Sequence, residues 1–259
     1  MIEKLNEKIL RNLALVWEIT INDFKLKYRG SIIGYLWSLL NPFLMLLTLY
    51  FVFRIVVRIE IENYPLFLLL GIILWNFFSS TTTTSIDSIN QKSSLFKKIS
   101  FSKSTIVFSS VLLSIINLLF NLTVLFGFLL FFRIKISFSI LLFTIPLLEL
   151  IFFSIGISFY LIIFYAKFRD VFHIWSFLLL IGFWLSPIFY SPSRIPLEFR
   201  RFYMLNPIAR IITDSRNILL YGYIPDLKQM LITFIFCFAV FVFGYYFFKR
   251  NSQVLNEAF

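Results

Sequence analysis

Asn22-Asp23-Phe24-Lys25-Leu26-Lys27-Tyr28-Arg29-Gly30-Ser31-Ile32-Ile33-Gly34-Tyr35-Leu36-Trp37-Ser38-Leu39-Leu40-Asn41-Pro42 is the stretch whose reading decides the fold. A charged segment of helical period precedes it, and long apolar runs follow. The basic cluster Lys25, Lys27 and Arg29 belongs on the cytoplasmic side of a membrane. Gly30 and Gly34 allow the backbone to turn or pack closely. Tyr35 and Trp37 suit the water–lipid boundary, where a ring buries its body and keeps its polar edge wet.

Composition agrees with a membrane protein. Apolar residues make up 59% of the 259 and charged residues only 14%, against about 25% charged in soluble domains. Such a chain has room for about six spans of ~20 residues. The net charge of +11 reads as basic membrane-flanking loops rather than a nucleic-acid surface, because no RNA-binding or zinc-finger spacing accompanies it. Cys237 is the single cysteine, so no intrachain disulfide can form. The charged start, Met1 to Lys8, does not have the form of a cleavable signal peptide.

Upstream of the opening stretch, 5–28 reads as an amphipathic helix lying in the cytoplasmic interface. Ile9, Leu10, Leu13, Val16, Trp17, Ile21, Phe24 and Tyr28 share one arc, with Arg11, Glu18, Asn22 and Arg29 roughly opposite. Downstream, apolar runs predict spans over about 35–57, 66–88, 105–132, 138–165, 172–190 and 229–248. Pro42 bends the first. The second carries Ser79-Ser80-Thr81-Thr82-Thr83-Thr84-Ser85, which suits either helix packing with back-bonding or a polar wall facing water or substrate. The segment 191–227 is too polar to span and too apolar to be disordered. Asn206-Pro207 there has the form of an N-cap followed by proline at the first helical position, so two short re-entrant or interfacial helices fit about 196–204 and 207–220. Fourteen Lys and Arg fall on the side of the termini and ten on the other. This bias predicts cytoplasmic termini.

Enzymatic chemistry is hard to assemble. There is no phosphate-cradling loop of the G-x-x-x-x-G-K-[ST] type, so the chain is not expected to bind ATP that way. One histidine, His173, and one cysteine do not make a metal site. Glu149, near the middle of the fourth span, is a costly intramembrane acid. It suits either substrate or coupling contact, or a structural role at a helix contact. Aromatic residues, 20% of the chain, suit lipid contact and helix packing, and equally a conduit whose rings stack on sugars.

The run from Phe24 to Pro42 resembles the opening of the polysaccharide-exporting type-2 ABC transporter permeases, the O-antigen, capsule and teichoic-acid exporters. Arg169-Asp170-Val171, Ser186-Pro187-Ile188-Phe189-Tyr190, Leu205-Asn206-Pro207 with Arg210, and Arg216 with Leu219-Leu220 and Gly222 resemble the later half. Asn22-Asp23 departs from the family, which commonly has a basic residue before the acid. The resemblance implies an all-α polytopic membrane protein, a single transmembrane domain over 1–259 with six spans, an interface helix and gate helices within 196–220. It implies a multi-pass homodimer in the cytoplasmic (inner) membrane with two copies of a separate ATPase. That partner would hold ATP and magnesium, leaving no cofactor, metal or nucleic acid on this chain. A coupling helix at 92–103 would dock into the ATPase through Phe96 and Phe101, rimmed by Lys92, Lys97, Lys98 and Lys103. A lipid-linked glycan would enter among membrane lipids past Lys25, Lys27, Tyr28, Arg29, Tyr35 and Trp37. It would leave near Tyr190, Arg194, Arg200, Arg201, Arg210 and Arg216. Teichoic acid, a drug or a small lipid is an alternative cargo, and a non-transport scaffold or lipid-modifying enzyme is the alternative class.

Overall fold

The computed structural model describes residues 2–29, 34, 36–91, 103–134 and 138–255. They form nine α-helices: α1 (Ile2–Tyr28), α2 (Leu36–Tyr50), α3 (Tyr64–Gln91), α4 (Ser104–Phe131), α5 (Thr144–Lys167), α6 (Val171–Leu185), α7 (Leu197–Tyr203), α8 (Pro207–Leu219) and α9 (Leu227–Asn251). Among the described residues, four stretches are long and apolar enough to cross a membrane: Tyr64–Ile89, Ser104–Phe131, Phe138–Lys167 and Leu227–Asn251. The first and fifth spans read from sequence correspond to two shorter apolar helices, Leu40–Val56 and Val171–Leu185.

Both shorter helices have a local physical cause. The first carries Pro42 inside α2 and then widens into a π-helical turn at Phe51–Val56. It terminates where Arg58 takes a positive φ of 60°. The second stops at Leu185 rather than at 190. Proline disfavours helical backbone in the residue before it, and Ser186 is extended, with φ −88° and ψ 150°.

α3 is the axis of the fold. In its apolar window 78% of residues are buried, against 17% in α9, so α3 is wrapped by protein while α9 faces outward. Leu66 to Trp75 are buried without interruption, and α2, α4, α5, α6 and α8 all pack on α3. α1 lies against α4. Its docking contact is centred on Thr20, fully buried, whose Oγ1 donates to Val16 O (2.6 Å) and to Ser109 O of α4 (3.2 Å). Phe24 stacks on Phe120. Leu10, Leu13 and Trp17, part of the apolar arc read from sequence, remain exposed, as suits a helix whose outer side meets lipid.

α5 and α9 cross at two glycines. A Cβ on Gly156 would lie 2.7 Å from the Val240 carbonyl carbon, and one on Gly244 would lie 2.6 Å from Gly156 O. Absent side chains let the backbones meet, as is common between membrane helices. Phe152 and Phe159 of α5 then pack against Phe238, Phe241, Tyr245 and Phe248 of α9. Gly156→Val is expected to destabilise the protein by about 1–3 kcal/mol, as overpacking does. Thermal unfolding in detergent reads the loss. Gly127→Ala, at a position with nothing within 4 Å of the added methyl, is the control and should not lower the midpoint.

Candidate functional site

Where α6 ends, Ser186 to Tyr190 run without regular structure, yet Ser186 to Phe189 are buried. Their carbonyls need donors, because an unpaired buried carbonyl costs as much as a lost hydrogen bond. Arg216 of α8 supplies those of Pro187 and Ile188. Its Nη1 donates to Pro187 O, and its Nη2 donates to Ile188 O (2.8 Å) and to Phe67 O of α3 (2.8 Å). Nε also donates to Phe67 O, at 3.2 Å. The guanidinium lies 3.3 Å from the centroid of the Phe67 ring, a cation–π contact. Tyr64 Oη donates to Phe189 O (2.8 Å). Gly71 leaves the space, since a Cβ there would sit 2.6 Å from Arg216 Nη2.

The residues assigned to an exit therefore divide. Arg216 is buried and holds the turn, away from the open surface. Arg200, Arg201 and Arg210 come together with Glu198 on the wall of a cleft of 1170 Å³ between α7, α8 and α9. Arg200 Nη2 also bonds Ser193 O and Ile195 O, and Arg210 pairs with Asp214 at 3.1 Å. Tyr190 is tied to Tyr203 (Oη to Oη 3.0 Å) and to Leu185 O. Arg194 is exposed and does not line that cleft. α8 begins as its sequence dictates: Asn206 Oδ1 accepts from Ile208 N at 3.0 Å, with Pro207 in the first turn.

The entry residues meet a second feature. Lys25, Lys27, Arg29 and Trp37 are exposed. Tyr35 and the Tyr28 side chain lie outside the described residues. Lys27 and Trp37 border a cavity of 370 Å³ whose walls mix polar side chains with Pro42, Ile73, Phe77 and Leu118. α3 contributes Asn76, Ser79, Ser80 and Thr83, α4 contributes Ser114, Asn117 and Asn121, and α2 contributes Asn41. A neighbouring cavity of 400 Å³ shares Lys27 and continues toward the end of α3 through Thr84, Asp87, Ser88 and Gln91, with Asp23 of α1 and Ser110 of α4. The spacing explains the seam. Asn76, Ser80, Thr83, Thr84, Asp87 and Gln91 repeat at helical intervals along α3, as do Ser110, Ser114, Asn117 and Asn121 along α4. Each set makes one face. The hydroxyl run of α3 thus does both things that its sequence allowed. Thr81, Thr82 and Ser85 are buried in packing, where Thr82 Oγ1 accepts from Trp175 Nε1 at 3.0 Å. Ser79, Ser80, Thr83 and Thr84 turn to the cavities. The α4 stripe was the missed half. Its signal was a period of four polar residues inside an otherwise apolar run.

Of the coupling residues only Lys103 is described; Lys92, Phe96, Lys97, Lys98 and Phe101 lie outside the described residues. Lys103 Nζ donates to Ser252 O, joining the start of α4 to the end of α9, and burial lowers its pKa. Glu149 of α5 is fully buried. Neither carboxylate oxygen has a hydrogen-bond partner, and Asp214 and Arg210 of α8 lie within electrostatic reach.

Mutational outcomes at three positions follow from this geometry. Arg216→Met leaves the Pro187 and Ile188 carbonyls without their donor and should cost about 3 kcal/mol or more, and Arg216→Lys, lacking the planar fork, should recover only part. Arg194→Ala, at an exposed arginine, should stay within about 0.5 kcal/mol. Burying a charge costs more than burying a neutral amide of the same shape. Glu149→Gln should therefore hold or raise the melting midpoint, whereas Glu149→Lys should lower it. Thermal unfolding of the purified protein measures all five.

The sequence pattern of the ABC-2 type transporter family matches residues 14–220. The chain is 32% identical over 242 residues to an O-antigen export system permease protein RfbA of Klebsiella pneumoniae, covering 92% of each chain. A second protein of that name and organism is 33% identical over 207 residues, 79% of each chain. One from Myxococcus xanthus is 27% identical over 220 residues, 84% of this chain and 85% of the relative. The family match runs from the docked half of α1 through Leu220, taking in the polar seam and the Arg216 contacts, and the protein belongs to the ABC-2 type transporter family as a multi-pass membrane permease.

Proposed function

We propose that this chain is the permease subunit of an ATP-driven exporter that moves lipid-linked polysaccharide of the O-antigen type across the cytoplasmic (inner) membrane. The observation that carries this reading is the match, over 92% of both chains, to a permease of O-antigen export. Two copies of the permease work with two copies of a separate ATPase, which holds the ATP and magnesium. Conformational change in the ATPase reaches the permease through 92–103, at the junction of α3 and α4. Contacts between Thr20 of α1 and Ser109 of α4, and between Lys103 and Ser252 just after α9, bring those helices together beside that junction. The surplus of Lys and Arg on the same side supports its being cytoplasmic.

In this reading the diphosphate of a lipid-linked glycan is drawn to Lys25, Lys27 and Arg29, since each basic residue near a membrane surface contributes about 1 kcal/mol toward an anion there. The finished chain leaves past the cleft between α7, α8 and α9, where Arg200, Arg201 and Arg210 gather. Co-expression with an ABC ATPase encoded alongside it should yield a stable complex whose ATP hydrolysis rises when lipid-linked glycan is added. Absence of a co-purifying ATPase would sink the reading. Reversing Lys25, Lys27 and Arg29 to glutamate should reduce export at least about tenfold while the protein still reaches the membrane. Unchanged export in that variant removes the entry role.

A further inference from the structure

α7 is the helix with the least support from the rest of the chain. None of its residues is buried, and no other helix packs extensively on it. Leu197, Phe199 and Phe202 are exposed, as is Leu205 just after it. Its ties are Tyr203 Oη to Tyr190 Oη, and Arg200 Nη2 to the carbonyls of Ser193 and Ile195. The 1170 Å³ cleft separates it from α8 and α9. The depth of that cleft follows from α9, which begins at Leu227 behind the N-cap Asp226 and is long and apolar enough to cross a membrane. Gln229, Ile232 and Thr233, in its first two turns, line the cleft. The cleft therefore stands where the span ends, at the level of lipid headgroups. Further along α9, Ile235 and Phe236 continue an exposed apolar surface.

The lining joins two chemistries. Leu197, Phe202, Met204, Leu205 and Ile232 are apolar, and Arg200, Arg201 and Arg210 bring guanidinium groups, which only donate. Among the described residues, Arg201 has no hydrogen bond or ion pair. Arg210 reaches Asp214 through Nε, which leaves both its Nη groups uncommitted. Glu198, also on the wall, has no ion pair among the described residues, so it neutralises none of the three directly. Counting Glu198 and Asp214 against the arginines, the cleft keeps a surplus of one positive charge. Gln229 and Thr233 can accept as well as donate and do not discriminate.

These features together select an occupant. A neutral sugar leaves the charge surplus unanswered, and a hydrocarbon alone displaces water from guanidinium N–H groups without replacing its acceptors. A free phosphate makes no use of the apolar wall. A choline headgroup returns a cation to a positive wall. A phosphodiester on hydrocarbon chains meets both halves, with acceptor oxygens and one negative charge for the arginines and chains for the apolar side. We propose that the cleft between α7, α8 and α9 binds an anionic phospholipid of the leaflet in which α9 begins, its phosphodiester at Arg200, Arg201 and Arg210 and an acyl chain along Leu205 and Ile232. The lipid supplies the packing partner that α7 lacks within the chain. The inference needs only that α9 spans the membrane, and it holds whatever the cargo.

Native mass spectrometry of the purified full-length protein in detergent counts lipids bound per chain. Dioctanoyl-phosphatidylglycerol is titrated, with dioctanoyl-phosphatidylcholine, glycerol 1-phosphate and farnesyl diphosphate in parallel. Phosphatidylglycerol should occupy one site per chain at least about tenfold more tightly than phosphatidylcholine. Glycerol 1-phosphate, having no chains, should bind at least about a hundredfold more weakly. Arg201→Gln should weaken phosphatidylglycerol binding about tenfold and leave the lipid-free melting midpoint in place. Arg194→Gln, at an exposed arginine outside the cleft, should leave the affinity unchanged, which separates a built site from general attraction of anionic lipid to a basic surface. Equal affinity for the two phospholipids, equal effects of the two arginine substitutions, or glycerol 1-phosphate bound as tightly as phosphatidylglycerol overturns the proposal. Binding of farnesyl diphosphate without binding of phosphatidylglycerol assigns the cleft to a diphosphate lipid and overturns it as well.

Discussion

One guanidinium holds together the part of the molecule that sequence alone describes least well. Proline ends α6 and drives Ser186 out of helical backbone, which strands the following carbonyls inside the protein. In a soluble fold water would meet them. At a membrane protein's interior it cannot, and the donors must come from the chain. Arg216 reaches Phe67, Pro187 and Ile188, and Tyr64 reaches Phe189. α3, the turn and α8 are thereby one unit. The arrangement requires Gly71, because any side chain there would collide with the guanidinium. A cation bonded to carbonyls and stacked on a ring is a tolerable buried charge, since every ligand is either a dipole or a π face pointed at it. The position of α8 follows from this contact, and with it the position of Arg210 on the wall of the cleft.

α3 reconciles two demands that normally conflict. Its first half is buried among other helices and is uniformly apolar, from Leu66 to Trp75. Its second half must be polar on one side and packed on the other. Hydroxyl residues satisfy both, since a serine or threonine can return its proton to the preceding turn and still present an oxygen outward. Thr82 uses that oxygen to receive Trp175 of α6. Thr83, one residue on, lines the cavity. A single-residue step on a helix turns the side chain by about 100°, so adjacent threonines serve opposite neighbours.

Much of this was legible in the residues. The N-terminal helix α1, the long apolar helices and the Asn206-Pro207 start each rest on local rules of period and capping. What escaped is what depends on distant partners. Arg216 looked like the other arginines of 191–228, and nothing local distinguishes it. Its burial is set by carbonyls contributed from Phe67 and from 187–188. Thr20 likewise sits on the docking face of α1 because Ser109 O is there to accept from it. The shortening of the fifth apolar run was available in principle, since Ser186-Pro187 states its own break, but hydropathy runs smoothly across it. Two adjacent stripes of four and six polar residues become a seam only once α3 and α4 are known to lie side by side.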